Sequence, residues 1–264
     1  MDPIFAPILE FSGLLAAGPL EHVLDHEYEA LKALGITKHV TMMLVAAILC
    51  LTIFPMVARR IASGNPGRLA TAFEAVLIFL REEMVRPFLG KDTNRFLPIL
   101  WSFFFFILFC NMLGMIPLPF MGTATGNINV TAALATIAFG VYHFHGVKEN
   151  GFVHYVKANL LVGPPFLWPL MVPLELIGHA IKPAALMIRL CANMMGGHIL
   201  LAVIIGFTGV YTAWGDMLGA FVAMAAVGGG VFINMLELIV ATVQAIVFTF
   251  LLTVFLSMAL HPDH

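Results

Sequence analysis

Charge is what this chain has least of. Lys, Arg, Asp and Glu make up 11% of its 264 residues, against 61% hydrophobic. A soluble globular domain is about a quarter charged, so an ordinary water-soluble domain is excluded. The formal net charge of −2 offers nothing to a phosphate backbone, and no nucleic-acid partner is expected. Cysteine is nearly absent. Cys50, Cys110 and Cys191 lie far apart inside apolar runs, which leaves no disulfide framework and no zinc spacing. HExxH, GxSxG and GxxxxGK[ST] patterns are all missing, so no metal, cofactor, nucleotide or hydrolytic centre is expected. The first residues show no basic segment followed by a cleavage site, and neither a signal nor a transit peptide is expected.

What the chain does have is long apolar runs. They are continuous rather than alternating, which argues against a β-barrel. In hydrocarbon each backbone N–H and C=O must be satisfied internally, so the runs predict helices. The fold class expected is an all-α polytopic membrane protein: three ordinary transmembrane spans, an amphipathic helix and a long tilted helical hairpin.

Residues 1–37 form an N-terminal surface segment, with Glu21, His22, Asp25, His26, Glu27 and Glu29 clustered. His22 and His26 stand at metal-binding spacing, but a solvated face is the simpler reading. Residues 38–163 hold the spans, predicted at 40–58, 96–117 and 127–147. Between the first two, residues 68–89 carry Glu74, Arg81, Glu82 and Arg86 among apolar positions and read as an interfacial amphipathic helix. Residues 164–264 complete the single membrane domain with two apolar segments, 165–207 and 217–260. Each amounts to about 60 Å of helix, twice the roughly 30 Å of hydrocarbon. Neither holds a polar loop at its middle, so each is read as one tilted helix. The cations Arg59, Arg60, Arg68, Arg81, Arg86, Lys91 and Arg95 follow the first span, and Lys148 and Lys157 follow the third. By the positive-inside rule those connections face the cytoplasm, with the N-terminus outside and the C-terminus inside.

Residues 188–198, IRLCANMMGGH, break the pattern. An arginine at the centre of a span costs about 2.5–3.5 kcal/mol on insertion scales and cannot shed its charge. At about 100° per residue, Lys182, Glu175, His179 and Asn193 fall within roughly 80° of Arg189, while His198 points the opposite way. On the last segment Glu237 and Gln244, seven apart, share a face with Asn234. Glu237 is a lone acid in an apolar run, costly unless neutral or paired. Lone polar groups in such helices often just bond a neighbouring helix, which is the simpler reading for Asn234 and Thr242. Asn111 is open between that and a role. Lys182 is read as snorkelling, and His143 and His145 as an interfacial pair without a task.

The stretch RLCANMMGGH, with ELIVATVQAIVFTFLLTVFLSMAL at 237–260 and NMLGMIP at 111–117, resembles subunit a of the F-type ATP synthase membrane sector. The likeness runs from the first span to the C-terminus. It implies a non-catalytic stator subunit that couples proton flow to rotation of a c-subunit ring. Its partners would be that ring, the peripheral-stalk b subunits, the remaining ATP synthase subunits and the lipid membrane. It implies that Arg189 separates two aqueous half-channels, with Asn193 and Gln244 beside it. His198 and Glu237 would form the proton-passing pair of one half-channel, Glu175 and His179 the lining of the other. An ion pair with Lys182 would explain Glu175 equally well. The membrane implied is the bacterial plasma (inner) membrane, or alternatively the mitochondrial inner membrane. The competing class is a secondary cation/proton transporter, which would show inverted repeats and interrupted helices; neither is evident.

Overall fold

The architecture was read from a computed structural model that describes residues 37–64, 67–115, 123–160, 165–206 and 217–261. The acidic cluster of residues 21–29, the end of the NMLGMIP motif and the connection after residue 206 lie outside the described residues. Among the described residues the regular elements are helices, and five helical segments are long and apolar enough to cross a membrane. The chain is an all-α polytopic membrane protein.

Helix α1, Lys38–Ala62, carries Arg59 and Arg60 in its last turn, where cations complement the helix dipole. Helix α2, Arg68–Phe79, runs into a π-helical turn, Leu80–Val85, and a short α3, Arg86–Leu89. The sequence suggested one regular amphipathic helix here. The widened turn instead lets Leu80, Met84, Val85 and Leu89 all be buried. Its outward side carries the Arg86–Glu82 ion pair at 2.6 Å. Gly90, at φ +49°, ends the helix in a conformation that glycine tolerates. Helix α4, Thr93–Gly114, begins at Thr93, whose Oγ1 donates to Gly90 O at 2.7 Å. Helix α5, Ile128–Asn150, stops at Gly151, φ +76°, before α6, Phe152–Leu160.

The two long apolar segments are each unbroken: α7 spans Trp168–Gly206 and α8 spans Met217–Leu260. Pro173 and Pro183 lie inside α7 without ending it. At 1.5 Å per residue both exceed about 55 Å, so a perpendicular crossing would overshoot the hydrocarbon.

The chain divides into two compact units. The first gathers Met1–Val45, Phe109–Asn127 and Leu190–Val243. In it α7 and α8 pack antiparallel through glycines: Gly197 meets Glu237, Gly230 meets Leu201 and Gly229 meets Ile204. Asn111, fully buried, donates to Ala241 O at 3.1 Å and accepts from Thr125 Oγ1 at 2.6 Å. Gly114 lies so close to Thr123 that a Cβ there would overlap its side chain.

The second unit gathers Ala46–Leu108, Ile128–Arg189 and Gln244–His264. Phe103 stacks on Phe248 at 5.8 Å between centroids, and Phe88 meets Phe250 edge-on at 5.3 Å. Phe105 takes Phe54 on its edge and Phe73 in a stack. The α8 terminus is satisfied by Asn150, whose Nδ2 donates to Ala259 O at 3.0 Å and Leu260 O at 3.2 Å. These are carbonyls a helix end leaves without internal partners.

Candidate functional site

Polar side chains gather separately in each unit. In the first, the hairpin brings His198 of α7 against Glu237 of α8, with His198 Nε2 3.7 Å from Glu237 Oε1. The Glu237 side chain is 3% exposed and that of His198 21%. Neither Glu237 oxygen has a hydrogen-bond partner among the described residues. At 3.7 Å the pair is too long for a direct hydrogen bond. Gly197 makes the approach possible. A Cβ there would stand 2.7 Å from Glu237 Oε1 and 2.9 Å from Cδ. Asn193, one turn before, is half-buried, as is Asn234.

In the second unit, His179 of α7 uses Nδ1 to bond the Glu175 carbonyl at 2.9 Å. A carbonyl only accepts, so Nδ1 carries the proton and Nε2 of the neutral ring is a proton acceptor. The His143 ring lies on the His179 ring, 5.4 Å between centroids and 29° from parallel. His143 Nδ1 is hydrogen-bonded to Tyr155 Oη at 2.8 Å. Among the described residues no ion pair joins Glu175 to Lys182; the Lys182 ammonium stands over the Phe255 ring at 5.6 Å. Gln244 is buried on α8.

Arg189 differs from all of these. It is exposed, and among the described residues it has neither ion pair nor hydrogen bond. Exposed apolar residues of α7 stand near it in the sequence, among them Ile188, Met195 and Ile199. Gly196, about 20° from Arg189 around a regular helix, is exposed with open space where a Cβ would stand.

Of the residues singled out in the sequence, His198 and Glu237 are thus neighbours, and Glu175 and His179 are linked through one backbone bond. Asn111 proves to be a structural anchor. Gly197, Tyr155 and the pairing of His143 with His179 were not anticipated. Gly197 had a signal, since it directly precedes His198. Tyr155 had none, because its partner is reached only through the turn at Gly151.

Five long apolar helices, a buried acid beside an imidazole, and an arginine with no partner among the described residues define a class: an integral membrane protein with ionisable groups within its apolar helices. Residues 39–257 match the family described as ATP synthase A chain, and the chain belongs to that family. It is 37% identical over 237 residues to "ATP synthase subunit a" of Chloroherpeton thalassium, covering 88% of this chain and 68% of that protein. It is 40% identical over 240 residues to "ATP synthase subunit a" of Myxococcus xanthus, covering 88% and 76%. It is 39% identical over 237 residues to "ATP synthase subunit a 2" of Chlorobaculum tepidum, covering 87% and 65%.

Proposed function

We propose that this chain is the proton-conducting stator subunit of an F-type ATP synthase. It would offer two aqueous half-channels to a rotating ring of c subunits, each bearing one mid-membrane carboxylic acid. The observation that carries the reading is Arg189: a permanent cation, exposed on an apolar helix, with no counter-charge among the described residues. An unpaired charge in a membrane calls for a partner, and a carboxylate passing on another chain supplies one.

The guanidinium favours the ionised form of the ring acid that faces it. Along α7 it stands between His179 and His198, so it also repels protons that would cross directly from one half-channel to the other. Arginine suits this better than lysine, which deprotonates when buried. Asn193 orients the guanidinium, and Gln244 serves it from α8. His198 and Glu237 pass protons in one half-channel, because imidazole gains and loses a proton near neutral pH and the buried carboxylate across from it is a ready acceptor. Glu175 and His179 line the other. The chain performs no hydrolysis itself and works with the ring, the peripheral-stalk b subunits and the rest of the complex. It lies in the bacterial plasma membrane with its N-terminus outside and its C-terminus in the cytoplasm.

Partner dependence tests this. The chain reconstituted alone into vesicles should conduct no protons above the lipid background, and conduction should appear when the c ring is added. Ring-independent, saturable exchange of a cation for protons would overturn the reading in favour of a secondary transporter.

A further inference from the structure

Three titratable side chains of the second unit are in contact, yet the half-channel roles above use only one of them. His179 is assigned; His143 and Tyr155 are not. Tyr155 is 4% exposed, its ring seated on Gly146, where any Cβ would overlap it. That glycine lets the tyrosine approach α5 closely enough to hydrogen-bond His143 Nδ1 at 2.8 Å. The other ring nitrogen, His143 Nε2, is buried and has no hydrogen-bond partner among the described residues. Leaving a buried nitrogen without a partner is unfavourable. The same ring is stacked on His179, whose Nε2 is the accepting nitrogen by the argument from its Nδ1 bond.

The geometry points to a proton relay, Tyr155–His143–His179, that extends the half-channel opening on the Lys148 and Lys157 side of the membrane. This rests on the proposed proton-conducting function and names carriers for it. A proton reaching Tyr155 Oη from the surface releases the phenol's own proton along the hydrogen bond to His143 Nδ1. His143 gives up the proton on Nε2 to His179 Nε2 when its ring swings out of the stack. One proton arrives and one departs, and a half-turn of the His143 ring, with a turn of the Tyr155 hydroxyl, resets the chain. Burial pushes the Tyr155 phenol up to about 12, so it works as a neutral hydroxyl throughout and never as a phenolate. Its helix, α6, follows the third span, and the exposed residues Phe152, Val153 and His154 beside it put the start of the relay at the membrane surface.

The test uses the assembled enzyme in vesicles at matched subunit content. Passive proton conduction is measured after removal of the soluble catalytic head, and ATP-driven pumping with the head in place. Tyr155→Phe removes one oxygen and keeps the ring on Gly146. His143→Ala opens a space that added imidazole fills. Conduction should fall at least fivefold in each, and imidazole should restore His143→Ala while thiazole, of similar shape and far weaker basicity, does not. Wild-type conduction in Tyr155→Phe overturns the relay even if His143→Ala fails to assemble. So does equal restoration by thiazole, which would mean the histidine only fills space. Arg189→Ala run in parallel separates the two claims. If it blocks pumping while the relay variants stay at wild-type rates, the relay alone is wrong. If it pumps normally, the proton-conducting reading beneath it is wrong.

Discussion

His198 and Glu237 face one another across the α7–α8 hairpin at 3.7 Å, the carboxylate almost wholly buried. On the proposed function, this pair passes protons as a relay rather than standing as a fixed ion pair. Removing the acid with Glu237→Gln should lower ATP-driven pumping by about 10²-fold, the low end for a lost acid–base group, with assembly intact. Because the pair acts through both groups, exchanging them, His198→Glu with Glu237→His, should recover more pumping than either single change. Wild-type pumping in Glu237→Gln would remove the pair from the proton path.

Gly197 sets that distance. Gly197→Ala puts a methyl 2.7 Å from Glu237 Oε1, so the carboxylate or the helix must move. Overpacking of this kind costs about 1–3 kcal/mol. Lowered pumping with at most a modest loss of thermal stability in detergent is expected. Gly196→Ala, which meets open space on the same helix, is the control for packing within this chain and should leave stability unchanged.

Asn111 should behave oppositely. Its amide ties Ala241 O and Thr125 Oγ1 in a buried site, so Asn111→Leu leaves a carbonyl and a hydroxyl unpaired. Stability should fall by about 1–3 kcal/mol, read as a lower Tm of the solubilised complex. Pumping per assembled enzyme should be unchanged. A pumping defect at normal stability would show that Asn111 belongs to the proton path.

The Arg95–Glu149 pair, at 2.6 Å, is 44% and 40% exposed on its two sides. Surface ion pairs contribute about 0–1 kcal/mol. Glu149→Gln should therefore change neither Tm by more than a degree or two nor pumping, although the contact is much shorter than that between His198 and Glu237.

Much of this was legible because apolar length and the scarcity of charge leave few solutions. The absence of a polar break in 165–207 and 217–260 was enough to expect unbroken helices, and the angle of His198 away from Arg189 already separated their surroundings. The π-helical turn at Leu80–Val85 was hidden, since the same residues fit a regular helix and only their burial selects the wider turn. The anchor at Asn111 was hidden for another reason: its partner is a backbone carbonyl 130 residues away, and carbonyls carry no sequence signal. His143 seemed idle because its partners come from α6 and α7, one beyond a glycine turn and one beyond a connection partly outside the described residues.

Arg189 offers the most direct test. Arg189→Ala should be assembled into the complete enzyme, and ATP-driven pumping and passive proton leak measured in the same vesicles at matched subunit content. Pumping should be abolished and leak should rise, because the barrier between the half-channels and the counter-charge for the ring acid are both lost. Normal pumping with unchanged leak would contradict the central claim and leave Arg189 a structural residue.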